Sequence, residues 1–177
     1  MTLIQTVSPE SATGEVAAIY AQVKARFSFI PAVVQMRSAS PTLLRLMLEG
    51  QAHYMDHPTL SAPLLACIRM LVSQRNQCAY CIDLNASLLI NLFGWSQDQV
   101  AATRTDIGAA HLSDKDKAML RFVVDAVADP LAVQAPDLDR LRALGWSDAD
   151  ILDGLNHGAV MSASDILINA FKVERDF

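Results

Sequence analysis

Apolar positions recur along this chain at three- and four-residue spacing, as at Leu43, Leu44, Met47 and Leu48 and again at Leu120, Val123, Val124 and Val127. No segment alternates strictly between apolar and polar residues over the length of a strand. That period fits helices with one buried face, so the chain is expected to be all-α. Helix starts are marked by hydroxyls able to cap free N–H groups. Ser8-Pro9, Ser40-Pro41 and Ser61-Ala62-Pro63 each place one ahead of a proline that a first helical turn tolerates. Ser96-Gln97-Asp98-Gln99, Ser113-Asp114-Lys115-Asp116 and Ser147-Asp148-Ala149-Asp150 add a side chain three residues on that can reach back to the cap. Loops are expected over 26–31, 56–58, 106–113 and 128–136, where Pro, Gly and short polar residues gather.

A repeat lies inside this pattern. Leu60-Ser61 leads after 34 positions to Gly94-Trp95-Ser96, and Leu112-Ser113 leads after 33 to Gly145-Trp146-Ser147. The shared tripeptide has a mechanical reading: Gly takes the left-handed position that ends one helix, Trp covers the corner, and Ser caps the next helix. The expected organisation is one domain over residues 1–177, with N-terminal helices in 1–58, a unit at 60–111 that carries a cysteine pair, and a second unit at 112–177 that lacks one.

Composition changes the picture in three ways. The formal charge of −5 (14 basic, 19 acidic) makes nucleic acid an unsuitable partner. No apolar run reaches the length of a membrane span and the first residues carry no secretory pattern, so a cytoplasmic location without membrane contact is expected. With 52% apolar but only 6% aromatic residues, the chain suits packed helices and has apolar surface to spare for a homo-oligomer, whether dimer, trimer or hexamer.

Chemistry concentrates at Cys78-Ala79-Tyr80-Cys81, just ahead of the apolar run Leu84 to Phe93 and so in the first turn of a helix. Helix N-termini stabilise a thiolate, and C-x-x-C spacing lets one sulfur resolve the oxidised form of the other. The same spacing also serves as half a zinc site or as two packed core thiols, and zinc would need two further ligands. His53 and His57, at i and i+4, are the nearest metal-capable pair. No metal and no cofactor is assigned on this basis.

The stretch Leu64 to Leu89, with Val72-Ser73, Asn76, Cys78, Tyr80 and Cys81, resembles the core motif of the alkylhydroperoxidase D-like and carboxymuconolactone decarboxylase superfamily. Phe29-Ile30-Pro31, Ser40-Pro41, Leu138 to Ile151 and Asn169 extend the likeness to its peroxidase-related subgroup. The resemblance implies an AhpD-like all-helical fold in an obligate oligomer. It also implies thiol-dependent reduction of a peroxide or other small oxidant, with a thiol or dithiol as reductant. Cys81 is then the attacking residue and Cys78 the resolving one. The family's proton relay, a glutamate and a histidine, falls here on Ala66 and Asn85. Asn85 stays in the candidate site with Cys78 and Cys81 as a hydrogen-bonding group that cannot change charge. Loss of acid-base assistance costs about 10²- to 10⁴-fold in rate, so weak activity is expected. Cys67, Tyr80, Asp83 and Arg75 are the candidate substitutes, each with a plainer reading as core, pocket wall or surface. His157 reads as a hydrogen-bonded core residue. The competing functions are a non-catalytic oligomeric binding or scaffold protein of the same fold, and a carboxymuconolactone decarboxylase-type lyase.

Overall fold

The computed structural model describes residues 2–176, apart from the side chain of Phe27. Among them every regular element is helical. In chain order these are α1 (Gly14–Phe27), α2 (Ala32–Arg37), α3 (Pro41–Met55), α4 (Ala62–Arg75), α5 (Ala79–Asn91), α6 (Gln97–Thr105), α7 (Asp114–Ala128), α8 (Ala135–Ala143) and α9 (Asp148–Ala170), with short 3-10 turns at Ile107–Ala109 and Pro130–Ala132. None is long and apolar enough to cross a membrane.

The residues form two compact units: His57–Ile166, and the remainder on either side of it in sequence. The smaller unit encloses a core of Val16, Ile19, Tyr20, Val23, Ile30, Val34 and Leu44. Its chain entry is fixed by Tyr20 Oη donating to the Val7 carbonyl at 2.8 Å and by the Val7 amide donating to Ser38 Oγ at 2.8 Å. Ser8-Pro9 does not start a helix: Ser11 N closes a turn onto the Ser8 carbonyl, and α1 begins only at Gly14.

The larger unit is organised around α4. Leu64 to Ile68 and Met70 to Ser73 are all buried, so this helix is enclosed on every side and packs against both α5 and α7. Ser61 caps it through the Leu64 amide. The two Gly-Trp-Ser corners behave as their sequence predicts. Gly94 (φ +72°) and Gly145 (φ +83°) take the left-handed conformation, Trp95 and Trp146 are buried, and Ser96 and Ser147 bond the amides of Gln99 and Asp150. Beyond the second corner, α9 approaches α4 and α7 through two bare glycines. A Cβ at Gly158 would stand 2.5 Å from Val123 Cγ1, and one at Gly154 would stand 2.9 Å from Met119 Sδ. This contact carries α9 side chains to the buried face of α4. The start of α8 lies inside an expected loop, where Asp137 Oδ2 accepts from the Gln134 amide and Pro136 occupies the first turn.

Candidate active site

The turn from α4 to α5 places the cysteines. Gln77 is left-handed (φ +54°), its amide donates to the Gln74 carbonyl, and the next amide, that of Cys78, donates to the Ser73 carbonyl at 2.9 Å. This is the Schellman pattern of helix termination, with Gln77 where glycine is usual, at a cost of about 1–2 kcal/mol in backbone strain. Cys78 emerges as the N-cap of α5 and Cys81 follows in its first turn, as the sequence predicts. Both stand as free thiols, 0% and 3% exposed.

A carboxylate joins them. Asp165 of α9 is fully buried, and one of its oxygens and the two sulfurs all lie within 4.8 Å of one another. Ser73 Oγ donates to Asp165 Oδ1 at 3.0 Å, and Asn76 Nδ2 donates to Oδ2 at 2.9 Å while also reaching Ser162 Oγ at 3.0 Å. The two thiols act as a pair. The Cys78 thiol is held below its ordinary value, first by the Cys81 thiol facing it as a donor, against burial, and then by the Cys81 backbone N–H. The Cys81 thiol is pushed up by the same sharing with Cys78, by burial and by the negative charges of Cys78 and Asp165. Of the two, Cys78, at the helix N-terminus, is the thiol favoured to ionise, with Cys81 as its donor. The two sulfurs and Asp165 are also a donor set suited to a soft divalent ion, one ligand short of a closed tetrahedral site.

On the flank of Cys81 lies a second polar cluster. Arg69 Nε donates to Asn85 Oδ1 at 2.6 Å, Asn85 Nδ2 donates to the Cys81 carbonyl at 2.8 Å, and Arg69 NH1 donates to His157 Nε2 at 3.0 Å. Burial lowers the Arg69 guanidinium from 12.5 to about 10, which leaves it charged at neutral pH. Burial, followed by the Arg69 charge, pushes His157 down to about 3, so its ring is neutral. Asn85 is therefore a link between Arg69 and the cysteine helix. Both ends of its amide are engaged away from the sulfurs.

The other candidates are dispersed. Ala66 is 0% exposed and embedded in the core. Cys67 is buried, which lifts its thiol to about 12 and makes it a packing residue. Arg75 is exposed and pairs with Asp125 at 3.9 Å. Tyr80 is buried beside the pair and Asp83 is half-buried one turn on. α3 ends at Met55, so His57 lies beyond the helix that carries His53, and His57 Nε2 meets Asp153 Oδ2 at 3.2 Å. The clefts lined by Gln74, Arg104 and Thr105 do not reach the cysteines. Sequence reasoning missed Asp165 and Arg69 as site residues. Each is a lone charge in an apolar helical run, which is the signal that could have found them.

An enclosed helix whose turn presents a buried C-x-x-C pair, with a carboxylate from the last helix beside it, defines an all-helical class of fold. Within it, the architecture is that of the alkylhydroperoxidase AhpD core. An uncharacterized peroxidase-related protein from Ralstonia eutropha JMP134, described as an AhpD core, matches with a TM-score of 0.87 at 18% identity over 99% of this chain and 92% of its own. A peroxidase-related protein from Silicibacter sp. TM1040 matches at 0.84 with 19% identity, over 98% of this chain and 91% of its own. The debrominase Bmp8, a cysteine-to-alanine variant in complex with 2,3,4-tribromopyrrole, matches at 0.77 with 14% identity, over 99% and 94%. At these identities the likeness is one of fold. No protein-family model and no curated protein matches the sequence.

Proposed function

We propose that this chain is a dithiol oxidoreductase that reduces a peroxide through Cys78 and Cys81, with Asp165 as the proton acceptor in place of the absent glutamate and histidine. The observation that carries this reading is the placement of a buried, doubly hydrogen-bonded carboxylate within 4.8 Å of both sulfurs. Attack by Cys81, the role the resemblance implies, first requires its proton to leave. Asp165 is the base within reach. The Cys81 thiolate then displaces an alkoxide from the peroxide, forming a sulfenic acid, and the alkoxide takes up the proton. Cys78 attacks the sulfenic sulfur, water leaves, and the disulfide closes. In sum, one hydroperoxide and two thiols give one alcohol, one water and one disulfide, which an external dithiol reduces again.

The debrominase of the same fold supports including a brominated pyrrole as a second electron acceptor in any assay. Exposed Leu152, Val160 and Ile166 on one side of α9 support assembly with further copies of the chain, the expectation drawn from composition. The deciding experiment gives the fully reduced protein one equivalent of cumene hydroperoxide and follows peroxide loss and disulfide formation by mass spectrometry. A Cys78–Cys81 bond formed in step with peroxide consumption, and abolished in both Cys81→Ser and Cys78→Ser, is the expected result. Persistent peroxide with free thiols would sink the proposal and favour a binding or scaffold role.

A further inference from the structure

The position from which the resemblance expects a glutamate and a histidine to work holds a cation instead. Ala66 is sealed in the core, and one turn further along α4 Arg69 extends to Asn85 and His157. Two of its five N–H donors are used, both on groups that carry no charge. No carboxylate among the described residues pairs with it. Its side chain is half-buried. A partly desolvated guanidinium without a counter-anion is an expensive feature to keep for packing alone. Its planar fork is shaped for a carboxylate.

We propose that Arg69 is the specificity residue of this site, binding a carboxylate on the substrate, with Asn85 and His157 as neutral guides, so that the reducible bond lies over Cys81. The departure from the family's relay is then a change of charge. Where the family's acid would repel an anionic substrate, Ala66 removes the repulsion and Arg69 supplies attraction. This inference rests on Cys78 and Cys81 being the reacting groups, but its test does not require peroxide turnover.

The test compares the rates at which iodoacetate and iodoacetamide alkylate the cysteine pair at neutral pH and low ionic strength, with each adduct assigned by mass spectrometry. Thiol reactivity and access cancel in the ratio of the two rates, because the reagents differ chiefly in the carboxylate. The ratio should exceed that of glutathione, fall about tenfold in Arg69→Gln, and be largely kept in Arg69→Lys, as expected for one charge pair lost in a partly solvated site. If the protein turns over peroxides, KM for a carboxylate-bearing hydroperoxide should rise in Arg69→Gln by a larger factor than KM for cumene hydroperoxide. Should Arg69→Gln fail to fold, sodium benzoate should saturably protect the wild-type pair from iodoacetamide where sodium chloride of equal ionic strength does not. A ratio equal to that of glutathione, a ratio unmoved in a folded Arg69→Gln protein, or benzoate that acts no differently from chloride would overturn the assignment. Absence of peroxide turnover with the ratio as expected would overturn the peroxidase reading and leave this one standing.

Discussion

Two polar clusters flank the cysteine pair, and the same two helices build both. On one side, Ser73 and Asn76 from the end of α4 meet Asp165 and Ser162 of α9. On the other, Arg69 of α4 meets His157 of α9, with Asn85 between Arg69 and the Cys81 carbonyl. In the first cluster the charged group, Asp165, is fully buried and each of its oxygens has a donor. In the second the charged group, Arg69, is half-buried and rests on neutral partners. A buried carboxylate whose oxygens are met from within is fixed in place beside the thiols. A cation left short of partners is organised for something that arrives from outside. On the proposed reading the difference separates internal chemistry from recognition, although Arg69 and Ser73, the α4 members of the two clusters, lie only one turn apart.

The sharpest way to break this division is Asp165→Asn. If Asp165 accepts the Cys81 proton, peroxide-driven disulfide formation should fall by about 10²- to 10⁴-fold, the range expected for loss of a positioned base. The same substitution removes a negative charge that raises both thiols. Alkylation by neutral iodoacetamide at fixed pH should therefore become faster while the peroxide reaction becomes slower. Opposite signs in one variant distinguish a base from a residue that merely holds the pair in place. Peroxide rates within threefold of wild type would remove Asp165 from the mechanism.

What the sequence exposed and what it hid follow the same line. The helical period, the Gly-Trp-Ser corners and the position of the cysteines at a helix start are local properties, set within a few residues, and all are found where the pattern placed them. Ser8-Pro9 failed because a hydroxyl before proline serves a turn as well as a helix, and here Ser8 closes onto Ser11. That Ala66 and Asn85 fall on the glutamate and histidine positions of the resembled motif was legible. The polar partners on this part of α4 were not, because Arg69 meets a residue 88 positions away and Ser73 one 92 away, distances over which periodicity carries no register. A single Arg in Leu64–Val72 and a single Asp ahead of Ile166-Leu167-Ile168 are visible as misfits, but a misfit names no partner.

Acid sharpens the comparison from the recognition side. His157 has an ordinary value of 6.5 and is held near 3 by burial and Arg69. Below pH 6.5 the unfolded chain binds a proton there and the folded one does not. Stability associated with the neutral ring is thus complete above pH 6.5 and is lost progressively as pH falls toward 3. The loss is at most about 1.4 kcal/mol for each pH unit below 6.5. Urea unfolding at pH 7 and pH 5 should show a steeper decline for wild type than for His157→Gln. Equal declines would mean that the ring titrates in the folded protein as it does in the unfolded one, and that Arg69 does not press upon it.

The smallest effect is expected where the family resemblance invites the largest. Asn85→His restores the family's residue and, read from the sequence, should rebuild the relay. The structure points the other way. The new ring would occupy the place of an amide that accepts from Arg69 Nε, next to a cation that, with burial, keeps His157 neutral. It would also lack an acidic partner at Ala66, and it would give up the bond to the Cys81 carbonyl, a loss of about 1 kcal/mol. The peroxide rate should change by less than about threefold, well short of the gain that a working acid-base group supplies. Only in the double variant Asn85→His with Arg69→Gln should the introduced imidazole titrate close to its ordinary value and assist the reaction. An NMR titration placing that imidazole near 6.5 in the single variant, together with a faster peroxide reaction, would mean that the cation does not govern this flank and that the contrast between the two clusters is wrongly drawn.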